Sequence, residues 1–393
     1  LEFRRVLFRS VGNRHDREFI ARCCVGYAEF ADYVLGKSDG IAKTPAWAAA
    51  ITGVPAARIA KLADQLAGKR SYLTCAFSLQ RAHRGEQPYW AAIAIASLLG
   101  QIGLPGGGFG FGHGSMNGVG NPRPATPGPE MPIPKNPLAR AIPVARIADM
   151  LLNPGVRYRF DGAEHSYPDI RLVHWAGGNP FHHHQQLNRL HAAWQRPETV
   201  IVNEIWWTPA AKFADIVLPV TTALERNDIG GSSRDRFVLA MQRAIAPRHR
   251  ARHDYDIFGE LAERLGQREA FTEGRDEAAW IREIYSRCAA AQRNAGIEFP
   301  PFEAFWDKGY VELPHPARDF VLMEDFRRDP QAHALRTDSG RIELYSAKIA
   351  SFAGLDLPAH PAWLAPVEWL GAEKAKNYPL HLVSVQQIGR AHV

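Results

Sequence analysis

Three apolar segments that alternate with helical segments constrain the fold of this chain more than any other feature. The apolar segments read DIRLVHWA, TVIVNEI and DIVLPV and begin at residues 169, 199 and 215; the stretches between them, 185–194 and 208–214, have the pattern of helices. Strands of continuous Val, Ile and Leu that alternate with helices are typical of parallel sheets covered on both faces. We therefore predict an α/β fold of open parallel, Rossmann-like sheets with flanking helices.

Further helices in the chain suit the same class. Apolar residues recur three and four positions apart from Val54 to Ala67, ahead of Gly68, and again from Asp254 to Gly266. The apolar run from Tyr89 to Leu99 predicts a buried helix, because a membrane span needs ~20 such residues.

A long loop and three strand-like segments complete the outline. Residues 103–137 are dense in Gly and Pro but also carry Phe, His, Met and Asn, unlike a Gly/Ser linker. This composition favours an ordered loop near a ligand. SYLTCAF (71–77) predicts a short strand, SGRIELYS (339–346) a two-strand turn, and YPLHLVSV (378–385) a further strand.

Size, charge and cysteine content limit the class of protein. A chain of 393 residues, 46% of them hydrophobic, is large enough for two or more domains. Its charge falls from +6 to about +3 without three arginines and one glutamate of residues 1–10 and without Arg390, too little to argue for nucleic acid. The four cysteines show no metal or iron–sulfur spacing, so we expect reduced, structural thiols.

The turn after the first strand, Gly177-Gly178-Asn179-Pro180, is the first candidate for a binding site. Ligands of open parallel sheets bind at the carboxyl ends of the strands. Two glycines let the backbone approach a ligand, and the N–H groups of a following helix favour a phosphate. A plain strand-to-helix turn remains the alternative.

The three histidines that follow, His182 to His184, indicate a metal site only weakly. Neighbouring side chains point in different directions, and zinc sites space their ligands. One histidine that hydrogen-bonds a ligand is the better interpretation. The glycine run 106–114 would suit a nicotinamide dehydrogenase, but no register of it satisfies GxGxxG and it follows a helix.

Acidic and basic residues near the next strand ends are the remaining candidates. Glu204 ends the second strand, where a carboxylate can accept hydrogen bonds from guanine or ribose, although it could equally be a helix-start acid. Asp256 has the same two interpretations. Arg226, Arg234 and Arg236 surround a Gly-Gly-Ser-Ser loop that would hold phosphates or lie in solvent.

Taken together, several motifs resemble one family. They are GGNPFHHHQQLNRL, ETVIVNEIWWTPAAKFADIVLPVTTALERND, LQRAHRGEQPYW with GLPGGGFGFG, ARHDYDIFGELAERLG and SGRIELYS. In this order they resemble the molybdopterin S- and N-oxide reductases, which reduce dimethyl sulfoxide, trimethylamine N-oxide or biotin sulfoxide. The resemblance covers nearly the whole chain between residues 11 and 387.

The resemblance implies a cofactor and residues that would hold it. Members bind two molybdopterin guanine dinucleotides around one molybdenum. By the resemblance, Gly177 to Pro180 with His183 and Gln185 hold one cofactor's phosphates and pterin. Glu204 and Asp256 recognise its guanine, with Arg226 nearby. Phe77, where the family usually has Trp, and Arg81 face the other pterin, and His113 to Asn117 line the funnel to the metal.

The resemblance also implies a domain division. Residues 11–140 would end one α/β domain, 141–370 would form a second, cofactor-binding α/β domain, and 371–387 would begin a C-terminal β-barrel. Residues 1–10 and 388–393 resemble translated sequencing adapter. The molybdenum-ligating serine is expected upstream of residue 11, so no metal ligand is assigned here. The chain by itself is expected to be poorly stable and inactive, because cofactor-facing and interdomain surfaces would be exposed.

The function that the resemblance implies is reduction of an S-oxide or N-oxide by oxygen-atom transfer. A formate-dehydrogenase-like enzyme and a non-enzymatic nucleotide-binding α/β module remain alternatives. The expected partners are the small-molecule oxide and an electron-donor protein or quinol-linked cytochrome, with no nucleic acid and no membrane span. The sequence does not choose between cytoplasm and periplasm.

Overall fold

The computed structural model describes residues 15–112, 126, 128–133, 135, 138, 141–231, 236–314, 319–352 and 357–381, and of Arg81 only the backbone. The contacts divide the chain into two compact units. The first combines Leu1–Ser115 with Phe320–Gln387, and the second contains Met116–Asp319. Within the described residues, no helix is both long and apolar enough to cross a membrane.

Residues 15–112 of the first unit are mainly helical. The helices are α1 (Arg17–Cys23), α2 (Tyr27–Val34), α3 (Pro45–Thr52), α4 (Ala56–Gly68) and α5 (Glu86–Leu98), and the short strands are β1 (Cys24–Val25), β2 (Tyr72–Leu73) and β3 (Gly108–Phe109). The predicted helices from residues 54 and 89 are thus confirmed as α4 and α5. Much of α5 is buried, because its alanines allow close packing around Ile95 and Leu98.

The second unit contains the predicted alternation of strands and helices. Its helices are α6 (Ile147–Leu152), α7 (Pro180–His183), α8 (Leu187–Trp194), α9 (Pro209–Lys212), α10 (Asp254–Arg264), α11 (Arg268–Thr272), α12 (Glu277–Asn294) and α13 (Phe302–Lys308). Its strands are β4 (Arg157–Phe160), β5 (Ala163–Ser166), β6 (Leu172–Ala176), β7 (Thr199–Glu204), β8 (Ile216–Pro219), β9 (Asp228–Gly230), β10 (Phe237–Met241) and β11 (Tyr310–Glu312).

A three-stranded parallel sheet, ordered β6-β7-β8, positions the candidate site. The parallel register pairs Leu172 with Thr199 and Ile201 with Ile216, which confirms the predicted direction of the strands. The central strand β7 is buried at Val200 and Val202, whereas Leu172 and Ile216 on the outer strands are exposed. In the described part of the chain, the prediction that both faces of the sheet are covered therefore holds for the central strand alone.

Beneath this sheet, α8 supplies one of the largest core side chains of the unit. Trp194 is 2% exposed and packs against Phe181 and Trp175, with ring centroids 5.5 and 5.6 Å apart. A second core lies between α12, α13 and the antiparallel sheet β9-β10-β11, around Tyr285 and Phe305. Burial raises the pKa of Tyr285 to about 12.

Residues 320–381 return to the first unit with helices α14 (Glu324–Arg328) and α15 (Ala347–Ser351) and strand β12 (Ile342–Glu343). The prediction of a two-strand turn at 339–346 is wrong, because β12 pairs in parallel with the distant β1. The chain segment 320–370 packs with the first unit, although it was predicted to continue the second domain. The domain boundaries themselves stay a prediction.

Two further strand predictions have different outcomes. The strand predicted at 71–77 is shortened to Tyr72–Leu73, and Phe77, the last residue of the predicted strand, begins a 3-10 helix that runs to Arg81. Half of the strand predicted at 378–385 lies outside the described residues, and the described half, 378–381, forms no strand. The C-terminal barrel stays a prediction.

Candidate functional site

The carboxyl ends of the three parallel strands form one edge. Ala176, the last residue of β6, lies opposite Asn203, and Glu204, the last residue of β7, lies opposite Pro219, the last residue of β8. The turns that follow these strands therefore leave the sheet side by side. This is the edge at which parallel sheets bind their ligands.

The turn after β6 has a backbone that its two glycines make possible. Gly177 and Gly178 have φ of 78° and 76°, a left-handed conformation that residues with a side chain rarely adopt. The carbonyl oxygen of Gly178 accepts a hydrogen bond from the indole Nε1 of Trp175 at 3.0 Å. Space remains above the turn, since a Cβ at Gly178 would meet within 4 Å a single described atom, Nε2 of His183 at 4.0 Å.

Asn179 ends this turn and starts α7. Its Oδ1 accepts a hydrogen bond from the backbone N–H of Phe181 at 3.2 Å, and Pro180 occupies the first helical position. The side chain is 7% exposed, yet its Nδ2 has no hydrogen-bond partner among the residues that the structure describes. A buried amide without a partner costs roughly 1–3 kcal/mol, so it marks a place for a ligand atom or an ordered water.

The histidine run lies in and just after α7. The ring of His183 lies beside Gly178, while His182 and Gln185 are exposed. Among the described residues, no group of three His, Cys, Asp or Glu side chains is arranged to hold a metal ion. The structure thus brings His183 to the glycine turn, and it leaves Gln185 at the surface.

Glu204 is fixed by the turn that follows β7. Its Oε1 accepts a hydrogen bond from the N–H of Ile205, and its Oε2 accepts one from Oγ1 of Thr208, both at 2.9 Å. Thr208 in turn caps α9 through the N–H of Ala211. Because a carboxylate has about four acceptor positions, Glu204 keeps capacity for two further donors.

Asp256 and Asp254 lie in the first turn of α10 and differ in their surroundings. Asp256, the predicted guanine contact, is exposed. Oδ1 of Asp254 accepts a hydrogen bond from Nδ2 of Asn203 at 2.9 Å and so ties the helix to the sheet edge. Sequence reasoning missed both Asp254 and Asn203, although a polar residue inside an apolar strand was a usable indication.

Arg226 lies in the segment after β8. Its Nη1 donates to the carbonyl oxygen of Thr221 at 2.8 Å, and its Nε contacts Oδ2 of Asp228 at 3.4 Å. Arg236 is instead paired with Glu312 at 2.7 Å, and Arg234 lies outside the described residues. Of the two predicted arginines that the structure describes, Arg226 is the one near the sheet edge.

Thr221 is a further site residue that the sequence did not indicate. It follows β8 by two positions, is 2% exposed, and its hydroxyl has no partner in the described part of the chain. Its N–H donates to the carbonyl oxygen of Arg252 at 3.1 Å. The edge therefore contains two buried polar groups, from Asn179 and Thr221, that a bound ligand would satisfy.

Glu225 holds the loop between Thr221 and Arg226. Its carboxylate accepts hydrogen bonds from the N–H and hydroxyl of Thr222 and from the N–H of Arg248, at 2.8, 2.9 and 2.7 Å. The backbone N–H of Thr222, followed by that of Arg248, lowers the pKa of Glu225 below its ordinary value of 4.5. The loop is thus stabilised by the ionised form of this side chain.

Replacing Glu225 by glutamine is expected to destabilise the protein in a pH-dependent way. Because the folded-state pKa is lowered, the ionised carboxylate stabilises the fold above its unfolded pKa, and this contribution is lost as the pH falls through the folded pKa. Thermal melts should show a lower Tm for Glu225→Gln at pH 7 and a gap that narrows as the pH falls below the ordinary carboxyl pKa of 4.5. Glu298→Gln, at an exposed position, is the control; a gap that does not vary with pH would contradict the prediction.

The first unit presents an aromatic cluster around the predicted residue Phe77. Phe77 and Phe111 make an edge-to-face contact with ring centroids 5.1 Å apart, and Tyr89 lies 5.3 Å from Phe111. Gly112 lies directly against the ring, since a Cβ there would come within 2.6 Å of Cζ of Phe77. The side chain of Arg81 and the predicted funnel residues His113 to Asn117 lie outside the described part of the chain.

Comparison with known proteins identifies the class to which these features belong. The family model described as molybdopterin oxidoreductase matches residues 45–264, and the chain belongs to this family. The match spans α3 to α10 and includes the whole carboxyl edge of the parallel sheet. The family predicted from the motifs is confirmed.

Individual relatives are similar over almost the entire chain. A biotin sulfoxide reductase from Cereibacter sphaeroides is 52% identical over 380 residues, which cover 96% of this chain and 51% of that protein. A dimethyl sulfoxide/trimethylamine N-oxide reductase from Rhodobacter capsulatus is 44% identical over 393 residues, 96% of this chain and 47% of that protein. The chain therefore spans about half the length of the curated relatives it matches.

A solved structure shares the fold. The acetylene hydratase from Pelobacter acetylenicus superposes with a TM-score of 0.58 and 18% sequence identity, covering 96% of this chain and 52% of that one. At this identity the likeness shows the mixed α/β fold and carries no statement on activity.

The residues at the sheet edge fit the cofactor class that the family implies, a molybdenum–pterin group. The open space at Gly178 admits a ligand close to the backbone, and Nδ2 of Asn179 supplies a buried donor for an anionic oxygen. Glu204 supplies acceptors on the neighbouring strand. A donor and acceptors thus lie on adjacent strands of one edge, where a pterin nucleotide could use both.

Proposed function

We propose that this chain forms part of a molybdenum oxidoreductase that binds a bis-molybdopterin guanine dinucleotide and reduces an S-oxide or N-oxide. The similar proteins named biotin sulfoxide reductase and dimethyl sulfoxide/trimethylamine N-oxide reductase support this reaction class. The observation that carries the cofactor assignment is the glycine turn whose Asn179 leaves a buried amide donor without a partner.

The turn after β6 binds the phosphate end of one cofactor. Gly177 and Gly178 allow its backbone to lie close to the pyrophosphate, and Nδ2 of Asn179 donates to a phosphate oxygen. Pro180 contributes no N–H but starts α7 next to the ligand, and His183 contributes its ring beside Gly178. Gln185, which is exposed, contacts the ligand from the outer side.

The turns after β7 and β8 bind the guanosine end. Glu204 keeps two acceptor positions, which match the N1 and N2 donors of guanine. Asp256 offers a second carboxylate from α10, and Arg226 adds positive charge close to Thr221. Thr221 provides a buried hydroxyl for the ribose or a phosphate.

The first unit contacts the second pterin. Phe77 presents an aromatic face held in place by Phe111 and Gly112, and Arg81 follows it on the same 3-10 helix. Phenylalanine at this position supplies no indole donor, so the contact is by packing alone. His113 to Asn117 would line the path of the substrate.

The division of labour is that of a cofactor enzyme. When bound, the molybdenum centre supplies the two-electron oxygen-atom chemistry. The residues of this chain bind the two nucleotide arms, exclude water from the phosphates and hold the pterins in position. The metal ligand, a serine by the resemblance, is expected upstream of residue 11, and an electron donor is expected as partner.

Replacing Asn179 by aspartate is expected to remove at least nine-tenths of the bound molybdenum and guanine nucleotide. Aspartate keeps the Oδ1 that caps α7, because Asn and Asp cap helices equally well, but it replaces the Nδ2 donor by an anionic oxygen that repels phosphate. The content is measured on the full-length protein by metal analysis and by GMP released in acid.

The reciprocal exchange at another helix start is the matched control. Asp276 caps α12 through the N–H of Ala279 at 2.8 Å, and Asp276→Asn should leave both the melting temperature and the cofactor content unchanged. Full loading of the Asn179→Asp protein would overturn the assignment of the phosphate site. A wild-type protein with nucleotide but no molybdenum would instead indicate a simple nucleotide-binding module.

A further inference from the structure

Three polar side chains form a hydrogen-bonded chain that crosses the candidate site. Nε2 of His174 lies 2.9 Å from Oδ1 of Asn203, and Nδ2 of Asn203 donates to Oδ1 of Asp254 at 2.9 Å. The central residue, Asn203, is 3% exposed. These side chains come from β6, β7 and α10, so the chain connects three elements of the second unit. We call it the polar relay.

The direction of each hydrogen bond in the polar relay follows from the chemistry of its partners. The carboxylate of Asp254 accepts, so it faces the amide nitrogen of Asn203, and the amide oxygen must then face His174. An amide oxygen only accepts, and therefore His174 carries its proton on Nε2. Every group in the relay has a defined role, which fixes the orientation of the Asn203 amide.

The polar relay determines how α10 is placed against the sheet edge. The ring of His174 also packs against Phe258, one turn further along α10, with ring centroids 5.1 Å apart. The segment before the helix is held separately, because the N–H of Arg252 donates to the carbonyl oxygen of Pro219 at 3.1 Å. The backbone hydrogen bond thus fixes the position of the segment before α10, and the polar relay fixes the first turn of the helix.

The two carboxylates proposed to recognise guanine each lie one or two residues along the chain from a member of the polar relay. Glu204 directly follows Asn203 in β7, and Asp256 lies two residues after Asp254 in α10. β7 and α10 are distant from each other in the sequence, and the polar relay joins them through side chains. We therefore expect a change in the relay to alter the position of Asp256 relative to Glu204.

We propose that His174, Asn203 and Asp254 are positioning residues that set the selectivity of the sheet edge for guanine over other purines. They do not contact the base; by fixing the first turn of α10 against β7, they set the position of Asp256 relative to Glu204, whose two remaining acceptor positions face the N1 and N2 donors. Adenine presents an acceptor at N1, so it fits the same pair of carboxylates poorly. This inference rests on the proposed function, which places the guanosine at this edge.

The test measures the dissociation constants of GMP and AMP by calorimetry. It uses the full-length protein from a host that cannot make the pterin. The wild type should prefer GMP. Asp254→Ala should reduce the ratio of the two constants by roughly tenfold, the effect of one misplaced hydrogen bond to a charged group. Asp254→Asn keeps an acceptor for Asn203 and should retain most of the preference, and Glu263→Ala, elsewhere on α10, should retain all of it.

If the polar relay has a purely structural role, its variants will have a changed melting temperature and will bind GMP and AMP more weakly by the same factor. If Asp254→Ala does not fold, His174→Phe gives the same comparison, because phenylalanine keeps the packing against Phe258 and removes the Nε2 donor. A full GMP preference in either variant would overturn the inference and leave the proposed function intact. A wild-type protein without any preference would overturn the guanosine site itself, and this inference with it.

Discussion

Valine at position 178 is expected to abolish cofactor binding, with at least a tenfold loss of both molybdenum and guanine nucleotide from the full-length protein. Gly178 has a φ of 76°, and a β-branched residue in that conformation costs about 1–2 kcal/mol or more. The larger effect is steric, since the valine side chain would fill the space above the turn that is open in the structure. Metal analysis and GMP release measure the loss.

Gly155 provides a control that separates the two effects. Its φ is 78°, and no described atom lies within 4 Å of a Cβ built there, but it lies between α6 and β4, away from the sheet edge. Gly155→Val should lower the Tm about as much as Gly178→Val and leave the cofactor content unchanged. Equal cofactor loss in the two variants would mean that strain, and not occupation of a binding site, explains the result.

Replacing Trp194 by alanine is expected to give the largest loss of stability in the second unit, about 3–5 kcal/mol. The side chain is 2% exposed and fills the space between α8 and β6, where it contacts Phe181 and Trp175. For a unit of this size the melting temperature should fall on the order of 10 °C, which calorimetry measures.

Trp194→Phe tests whether packing is the cause. The indole Nε1 is buried and has no hydrogen-bond partner among the described residues, so its removal costs nothing in hydrogen bonding. Phenylalanine keeps most of the aromatic packing, and we expect a loss below about 1.5 kcal/mol. If Trp194→Phe lost as much stability as Trp194→Ala, packing would not be the cause, and the result would indicate a stabilising interaction of the indole N–H.

The elements predicted correctly from the sequence are those whose pattern is local. The apolar strands at 172, 199 and 216 and the amphipathic helices α4 and α10 carry their periodicity within one segment. The partner of β12 could not be predicted in this way, because β1 lies more than three hundred positions earlier in the chain. The strand at 71–77 was predicted too long, since the strand ends at Leu73 and a 3-10 helix begins at Phe77.

The candidate site shows the same limit at the level of side chains. The sequence indicated the glycine turn and Glu204, because strand ends in a parallel sheet share one edge. It did not distinguish Asp254 from Asp256, since the rotation of α10 depends on Phe258 packing against His174. Thr221 was missed because Val-Thr-Thr resembles the end of an ordinary strand, and its buried hydroxyl becomes evident only in three dimensions.

The most direct test of the account is a crystal structure of the full-length protein with its cofactor bound. We predict that a single pterin–guanosine ligand spans the sheet edge, with a phosphate oxygen within hydrogen-bond distance of Nδ2 of Asn179 and the guanine against the carboxylate of Glu204. A nucleotide bound elsewhere, with Asn179 and Glu204 both facing solvent or protein, would contradict the central claim.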